Sequence, residues 1–479
     1  MEQTSLLSKI IFYYKHLIIV ISLLILATPQ YLIFGKLGFI IVGLGALLCV
    51  ADALFDREFL RSKRAIWLVL FLISFAITLI INRSYFLNLN CMSFGYTAIA
   101  LILLYPNRQT NAKATVKEMY SLNNTFLIMT AIFSTVGFVM YVVLFSYRYN
   151  YAEGADYIIG WSEGGRLFGL YSNPGLMITA IAIAIAVIQY EATIYLNGHI
   201  NKKIKFLLIY SIVINFCCMV LENASGAYIS LAMFIAIYLF LKLRSRFAKL
   251  DRIKSTFKAL LFALLSVALL YVIIYILRFL LSFVPGIYYS TINFFQGGNA
   301  GNFDAIKNFT IERNIPENYG ALTGRPQIWV KGIELFLQKP VFGWGPVSFG
   351  QFKVLEAPLR HLHNLFIESL AGVGLVGSVL IFFFLASSLI NLVKKIFCLK
   401  LIEKDNYYIV AASFAFLMML AVNSLAEVTI LYMTRLSVFM FWLYLGYVTT
   451  LTDVGDHSHF DKPFNSLYRI LKKEKNIEK

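Results

Sequence analysis

What most limits this chain is the recurrence of long apolar runs along its length. A run of about 20 apolar residues crosses the hydrocarbon core as a helix, because a helix satisfies its own backbone hydrogen bonds where water is absent. Such runs occupy residues 17–34, 37–55, 65–81, 88–105, 124–147, 172–196, 205–221, 225–241, 259–283, 364–393, 407–425 and 434–451. The chain of 479 residues is 59% hydrophobic and 14% charged, too little polar surface to cover a water-soluble fold of this size. The expected fold is an all-α polytopic integral membrane protein with twelve transmembrane helices. Helices 1–9 fall within residues 1–283, a long loop within 284–363, helices 10–12 within 364–451 and a basic tail within 452–479.

A net charge of +17 raises the question of nucleic acid. The distribution answers it: Lys and Arg cluster in short segments between apolar runs, with no basic stripe and no nucleic-acid motif. Every second connection is rich in them, whereas the short alternate connections hold only Lys36, Arg83, Arg148, Arg166 and Arg435. By the positive-inside rule both termini are expected in the cytoplasm. Residues 242–258 carry seven basic side chains against Asp251 alone. In the tail, Phe464, Leu467, Ile470 and Leu471 share one helical face with Arg469, Lys472 and Lys473 outside it. That pattern predicts an amphipathic helix on anionic lipid, or a docking site for a chain-length regulator. The five cysteines (Cys49, Cys91, Cys217, Cys218, Cys398) lie in or beside apolar runs without a CxxC pair, so neither a disulfide framework nor a zinc site is expected. The first run has no small-residue cleavage site and is expected to be a retained helix.

Chemistry-bearing residues gather in one stretch, 323–377, which closes the long outer loop and enters the tenth run. It holds Arg325, the glycines Gly343, Gly345 and Gly350, His361, His363, Asn364 and Glu368. Pro326 suits a first helical turn, and Trp329, Ile333, Phe336 and Leu337 share a face, which predicts an amphipathic helix over 326–338 lying on the outer bilayer surface. Of the six histidines, His16, His199, His457 and His459 fall on the inner side, leaving His361 and His363 outside. A lone His there would be an ordinary interfacial side chain; an Arg–His–Asn set on the lip of a membrane helix suits chemistry on a charged lipid head group. Asn364 is placed either to cap the helix or to orient a substrate. Glu368 either supports the site or satisfies a polar neighbour. Arg278, near the outer end of the ninth run, either faces a cavity or snorkels to the interface, and Arg435 has the same two options.

The string Gly324-Arg325, Ile328-Trp329, Pro340, Gly343, Gly345, Phe349, His363-Asn364, Ile367-Glu368, Gly374 and Gly377 resembles the shared C-terminal motif of the O-antigen ligase and polymerase family. Upstream, Arg166, Gly169 and Asn173-Pro174 resemble a second element of that family. At the turn Glu222–Ala227, family members often carry Ser-Arg-Gly, whereas this chain has Ser225-Gly226 and no basic residue. The resemblance implies a GT-C-like membrane glycosyltransferase acting on undecaprenyl-diphosphate-linked oligosaccharide at the outer face of the bacterial cytoplasmic membrane. It further implies inversion at the anomeric centre, with no metal and no cofactor. Departure of a polyprenyl diphosphate builds negative charge on phosphate oxygens, which Arg325 suits, with Arg166 and Arg278 in support. The attacking hydroxyl must lose a proton, which His363 suits, with His361 beside it. A polymerase, a ligase onto lipid A core and a transferase onto protein share this donor. A flippase is the rival from another class, although no similarity between the two halves suggests an internal repeat.

Overall fold

A computed structural model describes the chain apart from residues 1–4, 28–30, 63, 110, 153–154, 163–164, 172–176, 248–250, 296–323, 355–356, 360, 398–404, 433–435 and 453–479. Arg435, the Asn173-Pro174-Gly175 turn, the Gly-rich stretch 297–302 and the amphipathic tail lie outside the described residues.

The protein is an all-α polytopic membrane protein. Among the described residues, nine helices are long and apolar enough to cross a membrane, and three shorter apolar helices accompany them. In chain order these are α1 (Leu6–Ala27), α2 (Tyr31–Ala51), α3 (Ala65–Ile81), α4 (Leu87–Ile99, continued by a π-helical turn Ala100–Leu104), α5 (Ala112–Val142), α6 (Ile178–Asn197), α7 (Lys202–Glu222), α8 (Ser225–Arg246) and α9 (Arg252–Ser282). After them come the short α10 (Val284–Phe295) and α11 (Arg325–Gln338), then α12 (Leu365–Ile396), α13 (Tyr407–Asn423) and α14 (Leu436–Thr452). The three shorter helices, α3, α13 and α14, have 17 residues each. At 1.5 Å per residue each rises about 25 Å, close to the thickness of the hydrocarbon core.

The first helix departs from its expected bounds, starting at Leu6 where the apolar run suggested 17–34. The Lys9 and Lys15 charges and the polar His16 ring hid its first turns. Lys15 is buried at 2% exposure because its ammonium meets a Glu118 carboxylate oxygen on α5 at 2.6 Å. A paired charge can sit where a lone one would not.

The segment expected as a plain outer loop forms an antiparallel sheet of three strands, β1 (Ser146–Ala152), β2 (Ala155–Ser162) and β3 (Arg166–Gly169). Its aromatic and β-branched residues suit a strand pair, a preference overlooked beside the apolar helices. Trp161 is buried with its ring 4.9 Å from that of Tyr141, and Tyr141 Oη donates to Leu281 O at 2.6 Å, so the sheet is pinned to the ends of α5 and α9.

Helix α12 is two helices across a break at Gly374 (φ 69°, ψ −173°). The fold-back brings the Phe366 and Phe382 rings to 4.7 Å. The turn 340–345 holds the break open: Trp344 N donates to Ala371 O at 2.9 Å, Gly345 N to Gly372 O at 2.7 Å and Leu375 N to Pro340 O at 2.8 Å. A Cβ at Gly374 would lie 2.2 Å from Val341 O and one at Gly343 2.6 Å from Gly372 O, and both residues have positive φ, so glycine is required twice. Helices α3 and α4 anchor the same turn, through Thr78 Oγ1 to Phe342 O (2.7 Å), Asn82 Nδ2 to Gly343 O (2.9 Å) and Asn90 Nδ2 to Ser348 Oγ (2.8 Å).

Candidate active site

Three separate pieces of chain meet at one end of the bundle: the start of α11, the residues before α12 and the connection from α13 to α14. Arg325 opens α11, preceded by Gly324 at φ 75° and followed by Pro326 in the first turn. The helix forms almost where expected, but its apolar residues point two ways. Gly332 and Leu335 are buried against Leu362 and Ile367, while Val330, Ile333 and Leu337 stay exposed. Phe336, expected to share one face with Trp329, Ile333 and Leu337, packs instead on the apolar floor of Leu359, Leu362 and Ala371 that the broken α12 offers.

His363 stands just before α12 in a left-handed conformation (φ 51°). Its neighbours hold it there. Asn364 caps α12, its carboxamide oxygen accepting from Phe366 N (3.0 Å) and Ile367 N (3.2 Å), and its Nδ2 donates to Leu425 O at 2.9 Å. Glu368 is fully buried and accepts from Leu362 N at 2.6 Å, which ties the backbone before His363 to the first turn of the helix. Leu365 N donates to Ser424 O at 2.9 Å, joining the same turn to α13.

The side chains converge on a residue the sequence did not single out, Glu427. His363 Nδ1 lies 2.9 Å from Glu427 Oε1, and Arg325 Nη2 donates to that same oxygen at 3.2 Å. An ionised carboxylate only accepts, so Nδ1 is the donor in this contact, which leaves Nε2 as the lone-pair nitrogen of the neutral ring. The His361 ring lies 3.7 Å from that of His363, centroid to centroid. Arg325, His363 and Glu427 are part-exposed at 27, 29 and 13%. Arg325 Nε is buried with no partner among the described residues, so the guanidinium keeps a donor unspent. His361, His363 and Glu427 offer one ligand atom each within 4.8 Å of one another, a set that can hold a cation, although Arg325 already places positive charge on the same carboxylate. The sequence signal for Glu427 was its position alone: a carboxylate between two apolar helices needs a partner.

Arg166 and Arg278 gather at a neighbouring turn. Arg166 Nε donates to Glu222 O at 2.9 Å, from β3. Arg278 Nη2 donates to Asn223 Oδ1 at 2.9 Å and to Tyr228 Oη at 3.2 Å. The turn that lacks a basic residue of its own thus receives two arginines from elsewhere in the chain. Asn423 links it to the first cluster, its Nδ2 donating to Gly226 O (3.3 Å) and Ser230 Oγ (3.0 Å) while its carbonyl accepts from Glu427 N (2.8 Å). Lys339, which ends α11 just before the 340–345 turn, donates to Asn82 Oδ1 at 2.5 Å and lies over the Trp344 ring; partial burial lowers its pKa from the ordinary value.

Fold and site together define a polytopic membrane protein with a paired histidine and arginine at one end of its helices. Residues 210–382 match a family model described as O-Antigen ligase, a segment that contains Arg278, Arg325, His361, His363, Asn364 and Glu368. That segment, rather more than a third of the chain, is similar to the O-antigen ligase family, whose members are membrane glycosyltransferase-like enzymes. No curated protein matches the chain.

Proposed function

We propose that the protein is a polysaccharide polymerase, joining undecaprenyl-diphosphate-linked repeat units at the outer face of the cytoplasmic membrane, with both termini in the cytoplasm. The observation that carries this is the shared Glu427 oxygen between His363 and Arg325. An acceptor hydroxyl oxygen attacks the anomeric carbon, and the bond from that carbon to the diphosphate oxygen breaks. The bonding pair leaves with the diphosphate. The hydroxyl proton passes to His363 Nε2, while Glu427 fixes the imidazole and stabilises its protonated form. Arg325 presents its part-exposed guanidinium to the diphosphate, where charge develops. Arg166 and Arg278 extend the positive field along the neighbouring turn, and Arg435, His361 and Asn364 complete the contacts proposed for diphosphate and glycan. Glu368 acts through the backbone it holds.

A ligase is the second proposal, favoured by the description of the matching family model. The two differ in acceptor, a second lipid-linked repeat or lipid A core. The test is transfer by the full chain purified in detergent, with lipid-diphosphate-linked repeat as sole substrate, for wild type and His363→Ala. A ladder of longer glycans, lost in the variant, supports a polymerase. Transfer only once lipid A core is added supports the ligase. No transfer to any acceptor, while the intact protein moves lipid-linked repeats across vesicles, overturns both in favour of a flippase.

A further inference from the structure

Among the described residues, one set of His, Cys, Asp and Glu side chains stands close enough to share a metal ion: His361, His363 and Glu427. The chain arranges two of the three locally. Leu362 is fully buried and its amide is held by Glu368, so the histidines on either side of it fall on the other side of the segment, their ring centroids 3.7 Å apart. Glu427 arrives from the α13–α14 connection, with Oε1 2.9 Å from His363 Nδ1. One ligand atom from each residue lies within 4.8 Å of the other two. Donor atoms held about 2.0–2.1 Å from a tetrahedral zinc ion stand about 3.4 Å from one another, so small side-chain rotations close the set around an ion. All three residues are half-buried, which leaves them open to an ion from water. The other described histidines stand elsewhere: His16 meets the hydroxyls of Thr125 and Ser121, and His199 a backbone carbonyl.

Donor type selects the ion. Two imidazoles and one carboxylate suit zinc, copper or nickel, whereas magnesium and calcium prefer oxygen ligands. Charge sets the strength. Arg325 Nη2 lies 3.2 Å from Glu427 Oε1, so a dication enters beside a guanidinium and binds reversibly, unlike a structural zinc closed by four protein ligands. We infer that His361, His363 and Glu427 form a reversible, inhibitory zinc site, an inference that rests on the transferase proposal for its consequence and not for the binding itself. Zinc takes a neutral imidazole, so an occupied site ties up the ring that the acceptor proton needs. It also competes with Arg325 for the shared carboxylate. Occupancy therefore stops transfer, and removal of the ion restores it.

The test is equilibrium dialysis of the untagged full chain in detergent against zinc, with bound metal measured by mass spectrometry, alongside the visible spectrum of the cobalt(II) form. One ion per chain, retained in excess magnesium and removed by a chelator, is expected. His361→Ala and Glu427→Gln are each expected to weaken binding about tenfold or more, since even the outer partner of a metal ligand is worth about 10–100-fold in affinity. His361→Cys keeps a ligand atom, and is expected to keep the ion and to add a thiolate-to-cobalt charge-transfer band, which a misfolded chain would lack. His457→Ala/His459→Ala, in the tail, is expected to bind as wild type does. Binding lost in that tail variant and retained in His361→Ala overturns the inference, as does binding displaced by magnesium. The glycan ladder is expected to stop as zinc saturates and to return on chelation; a ladder that persists or grows at saturation overturns the inference. Zinc bound through His361 by a chain that transfers nothing keeps the site and sinks the transferase proposal; transfer by a chain that binds no zinc does the reverse.

Discussion

Two cation–carboxylate clusters join distant helices of this bundle, one near each end, and they are built to opposite specifications. Lys15 and Glu118 meet at 2.6 Å with exposures of 2 and 4%, and Glu118 also accepts from Tyr447 Oη (2.8 Å) and Gln109 Nε2 (2.7 Å). That network is closed: its carboxylate has spent both oxygens on donors from three other segments. Arg325, Glu427 and His363 form the open counterpart, part-exposed, with one carboxylate oxygen serving both the arginine and the histidine and an arginine donor left over. A closed network fixes helices to one another. An open one keeps hydrogen-bonding capacity for a ligand, at a cost in local stability.

If the contrast holds, the two clusters fail differently when broken. His363→Ala removes the proposed base, and transfer is expected to fall by about 10²–10⁴-fold while thermal unfolding in detergent stays where it was. An equal loss of folded protein would instead make the open cluster structural. Glu118→Ala leaves Lys15 buried and uncompensated, a loss of about 3–5 kcal/mol in stability, with transfer per folded molecule unchanged. Replacing both partners with apolar residues of similar volume is expected to restore most of that stability, which unfolding midpoints would register. Arg325→Lys keeps the charge and loses the fork, so kcat/KM for the lipid-linked donor is expected to drop about tenfold or more, with little change in unfolding. Asn364→Ala removes the α12 cap and is expected to cost about 1 kcal/mol, the smallest effect of the four.

Much of the bundle was legible. The twelve apolar runs fall one to one on the nine long and three shorter apolar helices, because a membrane span must be apolar along its whole length and that is a local property. Where the pattern failed, a compensating partner was out of sight. Lys15 looked like a boundary until Glu118 stood beside it. The sheet 146–169 was hidden because strand pairing depends on register across a turn, and the break at Gly374 because nothing local distinguishes a kinking glycine from a packing one. The site was half legible. Arg325, His363 and Asn364 stand in one string whose spacing survives as real proximity, and Glu368 proved to hold the backbone ahead of His363.

Taken alone, the sequence determined that this chain lives among helices in a bilayer, and it marked the arginine and histidine at one end of them. Apolar length and side-chain chemistry are carried residue by residue, so they need no partner to be read. Tertiary structure decided which carboxylate those residues share and where the turn without an arginine finds one. Glu427 reaches His363 across 64 residues and Arg325 across 102, and Arg278 reaches Asn223 across 55. Contacts at that separation are fixed by how the helices pack, and no local pattern records them.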